Sequence, residues 1–232
     1  MNDGTAEYPK ARRTKADRGY PYYPAFLDLR RRRVVVVGGG VIATDKVRGL
    51  LPCGPEPLVV IAPEASHFIR QAADAAALQW LARSYQDGDL TGADFAFAAT
   101  DDRASNQLVA REARSRGIPV LAVDDVPNCD FIAPAVVKRG RLTFAISTSG
   151  RSPAMARWIR ERLERDIPSH WADLLDVAAS ARERLAERAI RVDPDRWQAA
   201  LDHELERVVA RGDLEEAKRM LWERLATPVD VR

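Results

Sequence analysis

The stretch Val34-Val35-Val36-Val37-Gly38-Gly39-Gly40-Val41-Ile42-Ala43 constrains this chain more than any other. Four consecutive β-branched residues predict a strand buried on both faces. The glycines demand a tight turn, and Thr44 onward reads as helix. Strand, glycine turn and helix make up the context of a dinucleotide-binding G-x-G-x-x-A turn, with Gly38, Gly40 and Ala43 in its three slots. Gly38 allows the sharp turn, Gly40 removes a Cβ where a pyrophosphate approaches, and Ala43 lets the helix pack close to the strand. The helix then aims free N–H groups and a partial positive charge at that phosphate. Val41 and Ile42 line the same side. The other reading is a glycine-rich strand–helix loop with no ligand.

The rest of the first half repeats the alternation. Val47, Leu50 and Leu51 give the first helix an apolar stripe, and Pro52-Cys53-Gly54-Pro55 stops it. Strands are expected at Leu58–Ala62, Leu78–Tyr85, Phe95–Ala99 and Ile118–Val123, and helices at Glu64–Ala77 and near 103–116, closed by Gly117. Such alternation predicts an α/β fold, a Rossmann-type doubly wound parallel sheet. The pattern then changes. Phe131–Val137 and Leu142–Thr148, joined by Lys138-Arg139-Gly140-Arg141, read as a hairpin. Ser152 and Pro153 open a helix to about Arg165, and Trp171–Ala226 is helical with breaks at Asp193-Pro194 and Gly212-Asp213. The expected domains are a flexible arm over 1–19, a Rossmann domain over 20–124, a small β unit over 125–152, to which the resemblance described below gives a dimerisation role, and a helical domain over 153–232. The aromatic stretch Tyr20–Leu29 is expected to pack beside the first strand, with Arg30–Arg33 turning into it.

The chain of 232 residues is 46 % hydrophobic and 30 % charged, the balance of a globular protein with a substantial core. A net charge of +2 argues against a polyanion binder, so no nucleic-acid partner is expected. Residues 1–33 nonetheless hold nine Lys/Arg against four Asp/Glu. Arg12, Arg13, Lys15 and Arg18 form either a contact for an acidic partner or a solvated tail. Cys53 and Cys129 have no metal-ligand spacing and suggest a reducing compartment. No run is long enough to span a membrane and no signal peptide is read, so the expected location is the cytoplasm.

Several positions carry candidate chemistry. The second strand ends Ala62-Pro63-Glu64, where dinucleotide folds place an acidic residue for the adenosine ribose. Glu64 sits one or two positions late, and no arginine is present for a 2′-phosphate, which favours NAD over NADP. Thr100 and Asp101 follow the fourth strand, where a cofactor at the sheet edge passes; helix capping is the competing role. Asp124 ends the fifth strand at the edge where doubly wound sheets bind ligands, either as a reactive carboxylate or as a loop cap. Asp125 is adjacent and ranks second. Arg151, Arg157 and Arg160 form an anion-attracting group or a solvated helix face. His67, His170 and His203 are far apart, so no metal ligand is assigned.

Together these motifs identify a resemblance. The stretches Tyr23–Leu29, Val36–Arg48, Ala98–Asn106, Val123–Asp125, Phe131–Ala135 and Ala145–Arg157 follow the order and spacing of the precorrin-2 dehydrogenase/sirohydrochlorin ferrochelatase family of sirohaem biosynthesis. The family includes stand-alone enzymes and the N-terminal part of bacterial sirohaem synthase. The resemblance covers about residues 20–170; the later helices match only in character.

The resemblance implies NAD-dependent oxidation of precorrin-2 to sirohydrochlorin, in some members followed by insertion of ferrous iron as a second substrate. It implies a homodimer that exchanges its β unit and helices. It maps the catalytic aspartate onto Asp124 and the adenosine side onto Pro63 and Glu64. Ser147-Thr148-Ser149-Gly150 resembles the family's S-S-G-G turn near the tetrapyrrole, with Thr148 for the second Ser and Ser149 for the first Gly. Without a methyltransferase-sized extension, the chain is expected to be the stand-alone type. The alternative is a non-catalytic NAD-binding or sensing module.

Overall fold

The computed structural model describes residues 22–123, 125 and 129–226. The expected arm over 1–19 lies outside them. These residues form two compact units. One runs to Ala133 and takes in Ser149–Arg151; the other comprises Pro134–Thr148 and the chain from Ser152 onward.

The first unit is built on a parallel sheet. Its strands are β1 (Val34–Val37), β2 (Leu58–Ile61), β3 (Gln79–Leu81), β4 (Phe95–Ala98) and β5 (Val120–Ala122), in the order β3-β2-β1-β4-β5. Val34 to Val37 pair with Leu58–Ile61 on one side and Phe95–Ala98 on the other. That explains the unbroken apolar run: all four valines are buried, and each contributes about 1.5–3 kcal/mol. Helices α1 (Val41–Leu50), α2 (His67–Asp74) and α3 (Arg103–Arg116) connect the strands. The strand order reverses between β1 and β4, which puts the ligand-binding crevice of such a sheet beyond their carboxyl ends.

Short-range chemistry sets the helix ends. Ser66 caps α2 by accepting from the Ile69 N–H, and Asp102 caps α3 by accepting from Ala104 and Ser105. Gly117, at φ +70°, ends α3 in the left-handed conformation. Several expected elements are shorter, β5 (Val120–Ala122) and the hairpin strands among them, and α2 and β3 lose the most. α2 begins at His67 rather than Glu64, because Ser66 takes the cap and donates its own N–H to the Gly39 carbonyl. β3 stops at Leu81, where the Arg83 N–H bonds the Leu81 carbonyl and Arg83 pairs with Asp89.

The expectation for the aromatic stretch is corrected. Tyr20 and Pro21 lie outside the described residues. Among the others Leu29 is buried, while Tyr23 and Phe26 are 90 % and 76 % exposed. At its end, Arg30 bridges to Pro55.

In the second unit β6 (Ala135–Arg139) and β7 (Leu142–Ile146) form an antiparallel hairpin, with Gly140 at φ +55° in its turn. Helix α4 (Pro153–Asp166) packs on it. Arg139 of β6 donates to the Ile167 and Glu164 carbonyls, closing the last turn of α4. Helices α5 (Trp171–Glu187), α6 (Pro194–Ala200), α7 (His203–Ala210) and α8 (Leu214–Ala226) share a core that includes Val177, Leu185, Leu205, Val209 and Leu221. The break at Leu201-Asp202 is not anticipated by the sequence. Asp202 makes it by capping α7 and pairing with Arg224 of α8.

Candidate active site

The glycine turn after β1 is a close-packed object on two sides and open on the third. A Cβ on Gly38 would lie 2.3 Å from the Ala99 carbonyl oxygen, and Gly38 itself sits at φ +127°. A Cβ on Gly39 would lie 1.9 Å from the Glu64 carbonyl oxygen, whereas one on Gly40 would meet nothing within 4 Å. Gly38 and Gly39 are therefore required by the protein's own packing, and Gly40 is not.

Gly40 is also the N-cap of α1. No side chain caps this helix, and its first turn holds no acidic residue. Its leading N–H groups and positive dipole end face the open side of the turn, a combination suited to an anion. Val41 and Ile42 are exposed here (86 % and 43 %), while Ala43 is fully buried under the helix. These residues fit the pyrophosphate of a dinucleotide.

Two hydroxyls brace the turn. Thr44 Oγ1 lies 2.8 Å from the Gly40 carbonyl oxygen and donates to it, which leaves the Ser66 hydroxyl as donor to Thr44 Oγ1 at 2.7 Å. The Ser66 N–H also reaches the Gly39 carbonyl at 2.9 Å. The loop after β2 is thus tied to the turn after β1, with Pro63 and Glu64 exposed on it.

At the end of β4, the Ala99 N–H bonds the Val37 carbonyl and Thr100 is half-buried. Asp101 is exposed, and the cap of α3 is Asp102. The Ser105 hydroxyl and two backbone N–H groups hold the Asp102 carboxyl below its usual range. Thr100 is gripped by the buried Asn106.

Asp124 lies outside the described residues. Beside it, the Val123 N–H bonds the Ala98 carbonyl and the Asp125 N–H the Ala122 carbonyl. Cys129 is buried, with its thiol 3.0 Å from the Ala122 carbonyl oxygen. Phe131 then packs edge-on against Phe95 and Phe97.

The turn before α4 is local. Thr148 Oγ1 exchanges two hydrogen bonds with the Ser152 backbone, and Ser149 and Gly150 both adopt positive φ. Ser152 caps α4 through the Met155 N–H, with Pro153 in the first turn. On that helix Arg157, Arg160 and Arg162 each pair with a carboxylate four residues on, so much of its basic charge is neutralised along the helix. His170 and His203 converge on Glu206 from two sides, and His67 is exposed. Among the described residues no three His, Cys, Asp or Glu side chains cluster as metal ligands. Among them, no helix is long and apolar enough to cross a membrane.

Residues 25–135 match a family described as "Putative NAD(P)-binding", and residues 139–166 match "Sirohaem biosynthesis protein central". The siroheme synthase of Photobacterium profundum is 37 % identical over 202 residues, covering 86 % of this chain and 43 % of that protein. The siroheme synthase of Pseudomonas paraeruginosa is 39 % identical over 207 residues, covering 88 % and 44 %. Among solved structures, SirC, a precorrin-2 dehydrogenase, superposes with a TM-score of 0.69 at 27 % identity, covering 85 % of this chain and all of that one. The chain is thus similar to siroheme-biosynthesis proteins over most of its length. It spans under half the length of the siroheme synthases it matches.

The sequence pattern assigns Gly38, Gly40 and Ala43 to the turn but gives no task to Gly39, Thr44, Ser66 or Asn106. Ser66 was findable as a serine directly before an apolar-periodic segment. Asn106 was not, because its partner Thr100 lies across a strand–helix junction.

Proposed function

We propose that this chain is a precorrin-2 dehydrogenase that uses NAD to form sirohydrochlorin. The observation that carries the reading is the uncapped α1 behind an open Gly40, at the switch point of a sheet whose chain matches SirC over the whole of that protein. Gly38, Gly40, Val41, Ile42 and Ala43 hold the pyrophosphate side, Pro63 and Glu64 the adenosine side, and Thr100 and Asp101 the sheet edge. NAD is favoured over NADP because the loop after β2 offers the Glu64 carboxylate and no arginine before Arg70, whose guanidinium bonds the Ala65 carbonyl.

Oxidation removes two electrons and two protons' worth of hydrogen from the macrocycle. When bound, the nicotinamide accepts one hydride. The remaining proton needs a base, and we assign that task to Asp124, with Asp125 second. Ser147, Thr148, Ser149 and Gly150 are the candidate contacts for substrate carboxylates. The same base could take pyrrole N–H protons if ferrous iron enters as substrate. The working form is a cytoplasmic homodimer: β6 and β7 form a sheet of two strands, and α4 buries none of its residues.

The test is spectroscopic. Enzymatically generated precorrin-2 and NAD are mixed with the protein in anaerobic, metal-free buffer. Sirohydrochlorin formed with equal NADH supports the reading; NAD binding without conversion moves it to a non-catalytic nucleotide module. Ferrous iron added afterwards tests chelation: a rate above the spontaneous one assigns that step to this chain.

A further inference from the structure

Asn106 is 6 % exposed on α3, and among the described residues all three hydrogen bonds of its side-chain amide go to one residue. Asn106 Oδ1 accepts from the Thr100 N–H at 3.2 Å and from Thr100 Oγ1 at 2.8 Å, while Nδ2 donates to the Thr100 carbonyl at 2.9 Å. The backbone fixes this orientation. An N–H can only donate and a carbonyl can only accept, so the amide cannot be turned over. Thr100 Oγ1 also lies 2.9 Å from the Asp102 carbonyl oxygen. Among the described residues its two hydrogen-bond neighbours are therefore both pure acceptors. The single hydroxyl hydrogen is held between them, and only lone pairs remain for anything else.

This polarised hydroxyl stands at a particular place. Thr100 follows β4, the neighbour of β1 at the switch point, and its backbone nitrogen lies 3.2 Å from where a Gly38 Cβ would be. Resting on the cofactor reading above, we infer that Thr100 Oγ1 is an acceptor-only contact for an N–H or O–H donor of the dinucleotide, and that Asn106 is the positioning residue that makes it so. Two dinucleotide groups have that chemistry: the carboxamide NH2 of the nicotinamide and a ribose hydroxyl.

The test is dinucleotide affinity, read by titration of the intact protein with NAD and with its acetylpyridine analogue, in which a methyl replaces the carboxamide NH2. Melting temperatures without ligand are measured alongside. Thr100→Val is expected to weaken NAD about tenfold, the loss of one hydrogen bond, and Thr100→Ser to restore it. If the analogue loses nothing in Thr100→Val, the donor is the carboxamide; if it loses as much as NAD, the donor is a ribose hydroxyl. Asn106→Leu is expected to weaken NAD as Thr100→Val does. Wild-type binding with unchanged affinity in Thr100→Val overturns the inference alone. So does a loss that persists in Thr100→Ser and follows a fall in ligand-free melting temperature. Wild-type protein that binds neither dinucleotide overturns the cofactor reading itself.

Discussion

The α-carbon of Gly39 faces the Glu64 carbonyl so closely that a methyl group there would sit 1.9 Å from the oxygen, whereas a methyl on the next residue, Gly40, would touch nothing within 4 Å. Two adjacent glycines thus answer to different demands. Gly39→Ala is expected to push the loop after β2 away and to lower stability by about 1–3 kcal/mol, visible in urea unfolding. Gly40→Ala is expected to cost under about 1 kcal/mol, the difference between glycine and alanine at an N-cap, yet to weaken NAD at least about tenfold. Equal affinity in Gly40→Ala and wild type would remove the pyrophosphate from this turn.

Asp124→Ala is expected to leave NAD affinity unchanged while slowing sirohydrochlorin formation about 10²–10⁴-fold, the range for losing a positioned base. Single-turnover spectra and a dinucleotide titration separate the two effects. Full activity in Asp124→Ala combined with loss in Asp125→Ala would pass the role to the neighbouring carboxylate.

Those parts of the fold that depend on neighbours in sequence were legible before the structure. The valine run, the glycine turn and the span of α3 from Arg103 to Arg116 follow from burial, φ and capping signals within a few residues. The misread parts depend on distant partners. β3 is cut short by a loop in which Arg83 meets Asp89 and Tyr85 meets Glu112 of α3. The break before α7 depends on Arg224 of α8. Tyr23 and Phe26 are apolar and so read as packing beside β1, but both stand exposed. At the candidate site, the glycine positions were readable and the braces around them were not, since Thr44–Ser66 and Thr100–Asn106 each link separate elements.

Glu112 supplies a stability prediction. Its buried carboxylate accepts from Tyr85 Oη, the Gly88 and Leu90 N–H groups and Arg116 Nε. Glu112→Ala leaves the buried Leu90 N–H and the half-buried Tyr85 hydroxyl without their acceptor and is expected to cost about 1–3 kcal/mol. Burial, and then the Glu112 carboxylate, hold the Tyr85 hydroxyl well above its usual value of 10.0. A group whose pKa is raised on folding lends stability that is complete below its unfolded value and is lost as pH rises above it. Unfolding midpoints measured from pH 8 to 11 should therefore fall in wild type and flatten in Tyr85→Phe. An equal slope in both would remove Tyr85 from the alkaline transition.

The exposed side of α4 gives the last prediction. No residue of this helix is buried, and Met155 and Trp158 are 48 % and 52 % exposed. Three of its four arginines are already matched along the helix by Arg157–Glu161, Arg160–Glu164 and Arg162–Asp166. A helix whose charge is mostly balanced along its own length, and whose tryptophan stays half exposed with only the Arg162 guanidinium over its ring, is better suited to an apolar partner surface than to solvent. In a homodimer that uses this face, Trp158 becomes an anchor, and aromatic anchors carry much of an interface's energy. Trp158→Glu places a carboxylate there without disturbing the chain's own core. It should halve the mass measured by light scattering at micromolar concentration and leave far-ultraviolet circular dichroism unchanged. Dimers of undiminished stability in Trp158→Glu would place the interface on another surface.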